Sequence, residues 1–114
     1  MIEKCEKPEV FNHIKDDLYY IRGFDTDTYA YMGIDLRFEG YALLHLEMVR
    51  FSHSILKSLI KDWEGVKSIL RNTGVSQVGA TKMGKKKDHD RFMKFVKYFD
   101  FDSAYEHVTV TKRL

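Results

Sequence analysis

Very little in this chain could staple, anchor or divide it. Of its 114 residues one is cysteine, Cys5, so no internal disulfide can form, and one is proline, Pro8. No Ser/Gly-rich or low-complexity stretch marks a linker, so one domain over 1–114 is expected, with 1–7 frayed. No apolar run approaches the roughly 20 residues needed to cross a bilayer, and Met1–Lys7 lacks the apolar centre of a signal peptide. These absences point to a protein that stays in the cytoplasm, without a membrane partner. Charge of one sign is also scarce: 19 Lys and Arg face 17 Asp and Glu, a formal +2, which argues for neither nucleic acid nor a lipid surface.

Apolar material is plentiful by contrast, with 44% hydrophobic and 14% aromatic residues, enough for a core that offsets chain entropy. Pro8, Val10, Phe11, Ile14 and Leu18 predict a short helix over 8–17. Leu18–Ile21 is too short to assign, and Gly23–Thr28 reads as a loop. From Tyr29 to Leu36, Ala30, Met32, Ile34 and Leu36 share one parity, which predicts a strand. After a turn at Arg37–Gly40, Ala42, Leu44, Leu46 and Met48 predict its antiparallel partner over 41–49. Ser52 can cap a long helix whose apolar stripe is Ile55, Leu56, Leu59, Ile60, Trp63, Val66 and Leu70, with Gly74 as its stop. A short strand over 75–81, a lysine-rich loop over 82–87, a helix with Phe92, Phe95, Val96 and Phe99, and a strand over 105–111 complete an α+β pattern.

The end of the chain reads His89-Asp90-Arg91-Phe92-Met93-Lys94, then Phe99-Asp100-Phe101, then Val108-Thr109-Val110-Thr111-Lys112. With the element order this resembles the GNAT N-acetyltransferase fold, and it is similar to the small GNAT-like proteins encoded by tailed phages, over roughly residues 29–114. The resemblance implies a shortened mixed or antiparallel sheet flanked by amphipathic helices. It also implies a pyrophosphate loop, rich in glycine, between a central strand and the long helix. Here that junction reads Met48-Val49-Arg50-Phe51-Ser52-His53-Ser54 and has no glycine, so Arg50 and Ser52 are the groups left to hold acetyl-CoA. The family's tyrosine acid falls on Val96, which carries no proton to donate. Glu47 occupies the place of the family's base, and His45 shares its face of the strand.

Two functions follow as expectations. One is a phage-encoded, non-catalytic GNAT-like protein, without a cofactor, that binds a host or virion protein or a second copy of itself. The other is a divergent N-acetyltransferase using acetyl-CoA, with Glu47 and His45 catalytic and Arg50 and Ser52 on the cofactor. A nucleic-acid partner has only the lysine loop in its favour. Tyrosine, frequent at interfaces, supplies the candidate contact surface: Tyr29 and Tyr31 share a parity, and Tyr41 begins the facing strand. The histidines fall at no metal-ligand spacing, and no metal site is expected.

Overall fold

The computed structural model describes residues 1–15, 18–81, 103–104 and 109–113. Strands β1 (Ile2–Lys4), β2 (Tyr19–Phe24), β3 (Thr28–Phe38) and β4 (Tyr41–Met48) precede helix α1 (His53–Asn72). Strands β5 (Gln77–Thr81), β6 (Ser103–Ala104) and β7 (Thr109–Arg113) follow. They form one mixed sheet in the order β1-β2-β3-β4-β5-β7-β6. Every neighbouring pair is antiparallel except β4 and β5, which run parallel because α1 carries the chain back between them. The class is α+β, with α1 the one α-helix among the described residues.

Helix α1 forms where its sequence says it should. The Ser52 hydroxyl accepts the Ile55 N–H at 3.2 Å, the arrangement that satisfies an orphan donor of the first turn. At the other end the Gly74 N–H bonds the Arg71 carbonyl and the Val75 N–H bonds the Leu70 carbonyl, both at 3.0 Å. Gly74 makes this ending possible at φ 89°, where a side chain would be strained, and Val75 then buries itself beside Leu70. Between the caps, Ile55, Leu56, Leu59, Trp63, Val66 and Leu70 are buried in one cluster with Ile21, Met32, Ile34, Leu44 and Val78 of the sheet. Ile60, expected on that stripe, lies outside it at 38% exposed.

The expected first helix is a correction. Only a 3-10 turn, Glu9–Phe11, forms there. Asn12 and His13 are poor helix formers, a helix of so few residues is marginal alone, and of the periodic residues in this turn only Phe11 is buried. Phe11 instead stacks on Tyr20, ring centroids 5.7 Å apart. The Gly23–Thr28 loop shrinks to a tight turn between β2 and β3, and the N-terminal residues expected to fray make β1. The 29–36, 41–49 and 75–81 strands are present with slightly different ends. Of the expected last strand, 109–111 lies in β7 and 105–108 falls outside the described residues, as do the lysine loop and the Phe92–Phe99 helix.

Strand β3 is not regular. Gly23 faces Ala30 while Phe24 faces Thr28, so Tyr29 is an extra residue, a bulge. Its carbonyl accepts from both Val49 N–H, at 2.8 Å, and Arg50 N–H, at 3.3 Å. The tip of the ring presses against Gly23: a Cβ there would stand 2.6 Å from the Tyr29 Cζ and 2.7 Å from its hydroxyl oxygen, so the close approach requires glycine.

Two substitutions test this packing. Leu59→Ala removes a side chain only 7% exposed and is expected to lower unfolding free energy by about 2–5 kcal/mol in chemical denaturation. Gly23→Ala adds one methyl against the tip of the Tyr29 ring and is expected to destabilise by roughly 1–3 kcal/mol, whereas an effect near zero would mean that the ring yields freely.

Candidate functional site

The side of the sheet away from α1 carries the polar chemistry. Alternation puts Ala42, Leu44, Leu46 and Met48 of β4 toward the helix, so Tyr41, Leu43, His45 and Glu47 face the other way. The register then builds two rungs. Glu3, Arg22, Tyr31 and Glu47 lie side by side across β1 to β4, and Tyr20, Gly33 and His45 lie across β2 to β4. The register of β4 with β5 ends at Leu44 and Ala80, so His45 and Glu47 sit where β4 has run beyond that pairing. His45 and Glu47 are thus brought together, both half-buried.

A buried carboxylate adjoins them. Asp35 is 2% exposed and is gripped by Arg37, whose Nε donates to both carboxylate oxygens at 3.0 Å and whose Nη2 donates to Oδ2 at 2.6 Å, while the Arg37 N–H donates to Oδ1 at 3.1 Å. This grip holds the Asp35 carboxyl below the usual carboxylate range against the opposing effect of burial. Burial pushes the His45 imidazole down; Asp35 opposes this, and His13 and Arg37 add to it. Neutral imidazole is therefore the favoured form of His45 in the fold. The space above Gly33 is filled by Tyr20 and Leu18, with carbon atoms 3.2 and 3.3 Å from where a Cβ would stand. The Asp35–Arg37 pair was not picked out from the sequence. Its only signal was an acidic residue inside an otherwise apolar and aromatic strand.

Arg50 and Ser52, the candidate cofactor groups, are occupied elsewhere. Arg50 Nη2 donates to the Asp25 carboxylate and, at 2.9 Å, to the Asp27 carbonyl, which turns it toward the β2–β3 turn. Ser52 is the cap of α1 and lies 3.1 Å from the Ser54 hydroxyl. Val49 and Phe51 beside them are 54% and 58% exposed.

The tyrosine surface needs correction. Tyr29 is fully buried, because the bulge turns it toward α1, where its hydroxyl donates to Asp62. Burial first, and then this contact, push its phenol far above the ordinary value. Tyr31 lies on the opposite face with Glu47, so the two do not point together. Tyr41 is half-buried at the start of β4 on the face of Tyr31. Among the described residues no group of three or more His, Cys, Asp and Glu is placed to hold a metal ion, and no helix is long and apolar enough to cross a membrane.

Comparison with known proteins yields a fold likeness. No protein-family model matches the chain, and no curated protein matches it. A crystal structure of a domain from Methanocaldococcus jannaschii DSM 2661 superposes with a TM-score of 0.64 at 11% identity, covering 92% of this chain and 72% of that one. At that identity the likeness shows a shared fold alone.

The electrostatics of His45 predict a pH dependence. An unfolded histidine titrates near 6.5. Below that value the unfolded chain takes up a proton that folded His45 resists, so stability falls with pH until the folded imidazole also titrates. Asp35 acts in a separate window: its contribution is present above 3.8 and is lost as pH falls through its lower folded value. Urea midpoints compared at about pH 7.5 and about pH 5.5 should drop in the parent and drop less in His45→Gln. Equal slopes would remove His45 as the source.

Proposed function

We propose that this chain is a non-catalytic GNAT-like protein, of the kind encoded by tailed phages, that acts by binding a host or virion protein. The observation that carries this reading is the β4–α1 junction. A pyrophosphate docks at a helix N-terminus when backbone N–H groups are unengaged and glycine lets them approach it. Here Val49 and Arg50 N–H groups bond the Tyr29 carbonyl, Ser52 occupies the Ile55 N–H, and every residue from Met48 to Ile55 carries a side chain. The exposed Val49 and Phe51 give the same junction an apolar rim suited to a protein surface. Of the three tyrosines first considered, Tyr31 and Tyr41 remain eligible for such a contact and Tyr29 does not.

A second reading, a divergent acetyl-CoA-dependent N-acetyltransferase, draws support from one feature. His45 and Glu47 share a face beyond the end of the β4–β5 register, which sets an imidazole and a carboxylate side by side as candidate proton acceptors. Arg50 and Ser52 would then have to leave Asp25 and the helix cap to meet the cofactor.

Calorimetry with acetyl-CoA separates the two. The expected result is no saturable heat, meaning a dissociation constant weaker than about 1 mM. A constant in the low micromolar range overturns the non-catalytic reading, and Glu47→Gln would then be assayed for loss of acetyl transfer.

A further inference from the structure

Strand β1 is outermost on its side of the sheet among the described residues, and the ladder to β2 fixes which of its backbone groups face outward. Phe24 N–H donates to the Met1 carbonyl at 2.9 Å and Cys5 N–H to the Tyr20 carbonyl at 3.0 Å. Antiparallel alternation then turns the backbone of Glu3 and Cys5 toward β2 and that of Ile2 and Lys4 away from it. The extended path continues past Lys4, because Cys5 still bonds β2, Lys7 is biased to extended backbone by the proline after it, and Pro8 has φ −68° and ψ 150°. Continued alternation gives Glu6 the same outward orientation as Lys4.

The side chains along this edge read Glu3-Lys4-Cys5-Glu6-Lys7. Turned end for end about Cys5, the run meets its own opposite charges: Glu3 faces Lys7 of a second copy, and Lys4 faces Glu6. We propose that β1 pairs antiparallel with β1 of a second copy across a two-fold axis at Cys5, joining the two sheets edge to edge. Backbone geometry leaves few registers to choose from, because outward residues must meet outward residues. Lys4 on Lys4 and Glu6 on Glu6 bring like charges together; Lys4 on Glu6 brings opposite ones. An edge strand this short, bearing lysine and ended by proline, resists pairing with arbitrary partners, whereas its alternating signs suit its own copy. Within each chain Glu3 is engaged by Arg22, the Lys7 ammonium by the Ile14 carbonyl, and the Lys4 ammonium lies 5.2 Å from the centre of the Tyr19 ring, a contact weak enough to give way to Glu6 of the second copy, so the central Lys4–Glu6 pairs set the register. Nothing in this pairing depends on whether a cofactor binds at the β4–α1 junction.

In that register the two Cys5 residues face each other as a non-hydrogen-bonded pair, with Cα atoms about 4.5 Å apart, inside the roughly 4.4–6.8 Å that a disulfide spans. The thiol-specific oxidant diamide therefore reports the register: two thiols lose their hydrogens to the reagent, which becomes the hydrazine, and the sulfurs bond. Burial pushes the Cys5 thiol up, so trapping belongs at mildly alkaline pH. Sedimentation of the parent, Lys4→Glu, Glu6→Lys, and an equal mixture of the two variants, each shown folded by circular dichroism, tests the arrangement. The expected result is a parent dimer, dimerisation weakened about tenfold or more in either variant alone, and recovery in the mixture, where Glu at 4 meets Lys at 6. Diamide should cross-link the parent and the mixture and fail with the single variants. A parent that remains monomeric at about 0.5 mM overturns the proposal. So do single variants that dimerise like the parent, or a mixture that stays monomeric.

Discussion

Burial of one side of α1 on one face of the sheet is the constraint from which the other features of this molecule follow. A helix with a single apolar stripe must cover it, and a sheet of mixed direction with a β4–α1–β5 crossover offers one broad apolar face for the purpose. That commitment decides the parity of β2, β3, β4 and β5 together, since each must send alternate residues to α1. What remains points away from the helix, and the polar groups of the chain are collected there by exclusion: Arg22, Tyr31, Asp35, His45 and Glu47. The candidate site is thus a consequence of where the apolar residues had to go.

One polar network lies on the helix side, and its cost explains its form. The Tyr29 hydroxyl and the Asp62 carboxylate sit at the border of the core, where an unpaired polar group would be penalised. They pair with each other, and the Met1 ammonium joins Asp62 at 3.0 Å while also donating to the Phe24 carbonyl. The bulge is what brings Tyr29 there, and Gly23 is what leaves room for the tip of its ring. A single inserted residue in β3 therefore links the first strand, the second, the third and the helix, and it draws Val49 and Arg50 into hydrogen bonds at the same place.

Where sequence patterning and structure agree, one physical signal dominated. The α1 stripe, its Ser52 cap and its Gly74 stop were legible because the segment is long, strongly periodic and capped at both ends. The β3–β4 hairpin was legible because one face is apolar and the other is not. The failures have equally specific causes. In β2, Tyr20 and Ile21 are both buried on opposite faces, so no alternation survives to be read. In β1, an edge strand carries Glu3 and Lys4 because one of its sides is open, and this looks like a fraying terminus. In the first turn, apolar spacing mimicked a helix that its few residues could not sustain. The tyrosine surface failed through the bulge: parity arguments assume regular backbone, and one extra residue reverses every assignment before it. His45 and Glu47 were placed together correctly because both lie on the regular side of that interruption, whereas Asp35 was passed over because strand patterning assigns a charged residue to solvent.

The two surfaces singled out differ in how tightly the chain itself controls them. At the β4–α1 junction the Arg50–Asp25 pair is two-fifths exposed on both sides, and water competes for it, so the pair alone does not hold Arg50 away from an anion. A second feature is covalent: each position from Met48 to Ile55 carries a side chain that stands between the backbone and an approaching anion, and no rearrangement of ion pairs removes it. At β1 the control runs the other way. Among the described residues no strand pairs with its outward backbone groups, its charges alternate, and its length is limited by Pro8, so its backbone can add a partner without breaking the β1–β2 ladder. Side chains obstruct an approach at the β4–α1 junction while alternating charge selects one at the β1 edge, so the fold restrains its two surfaces by different means.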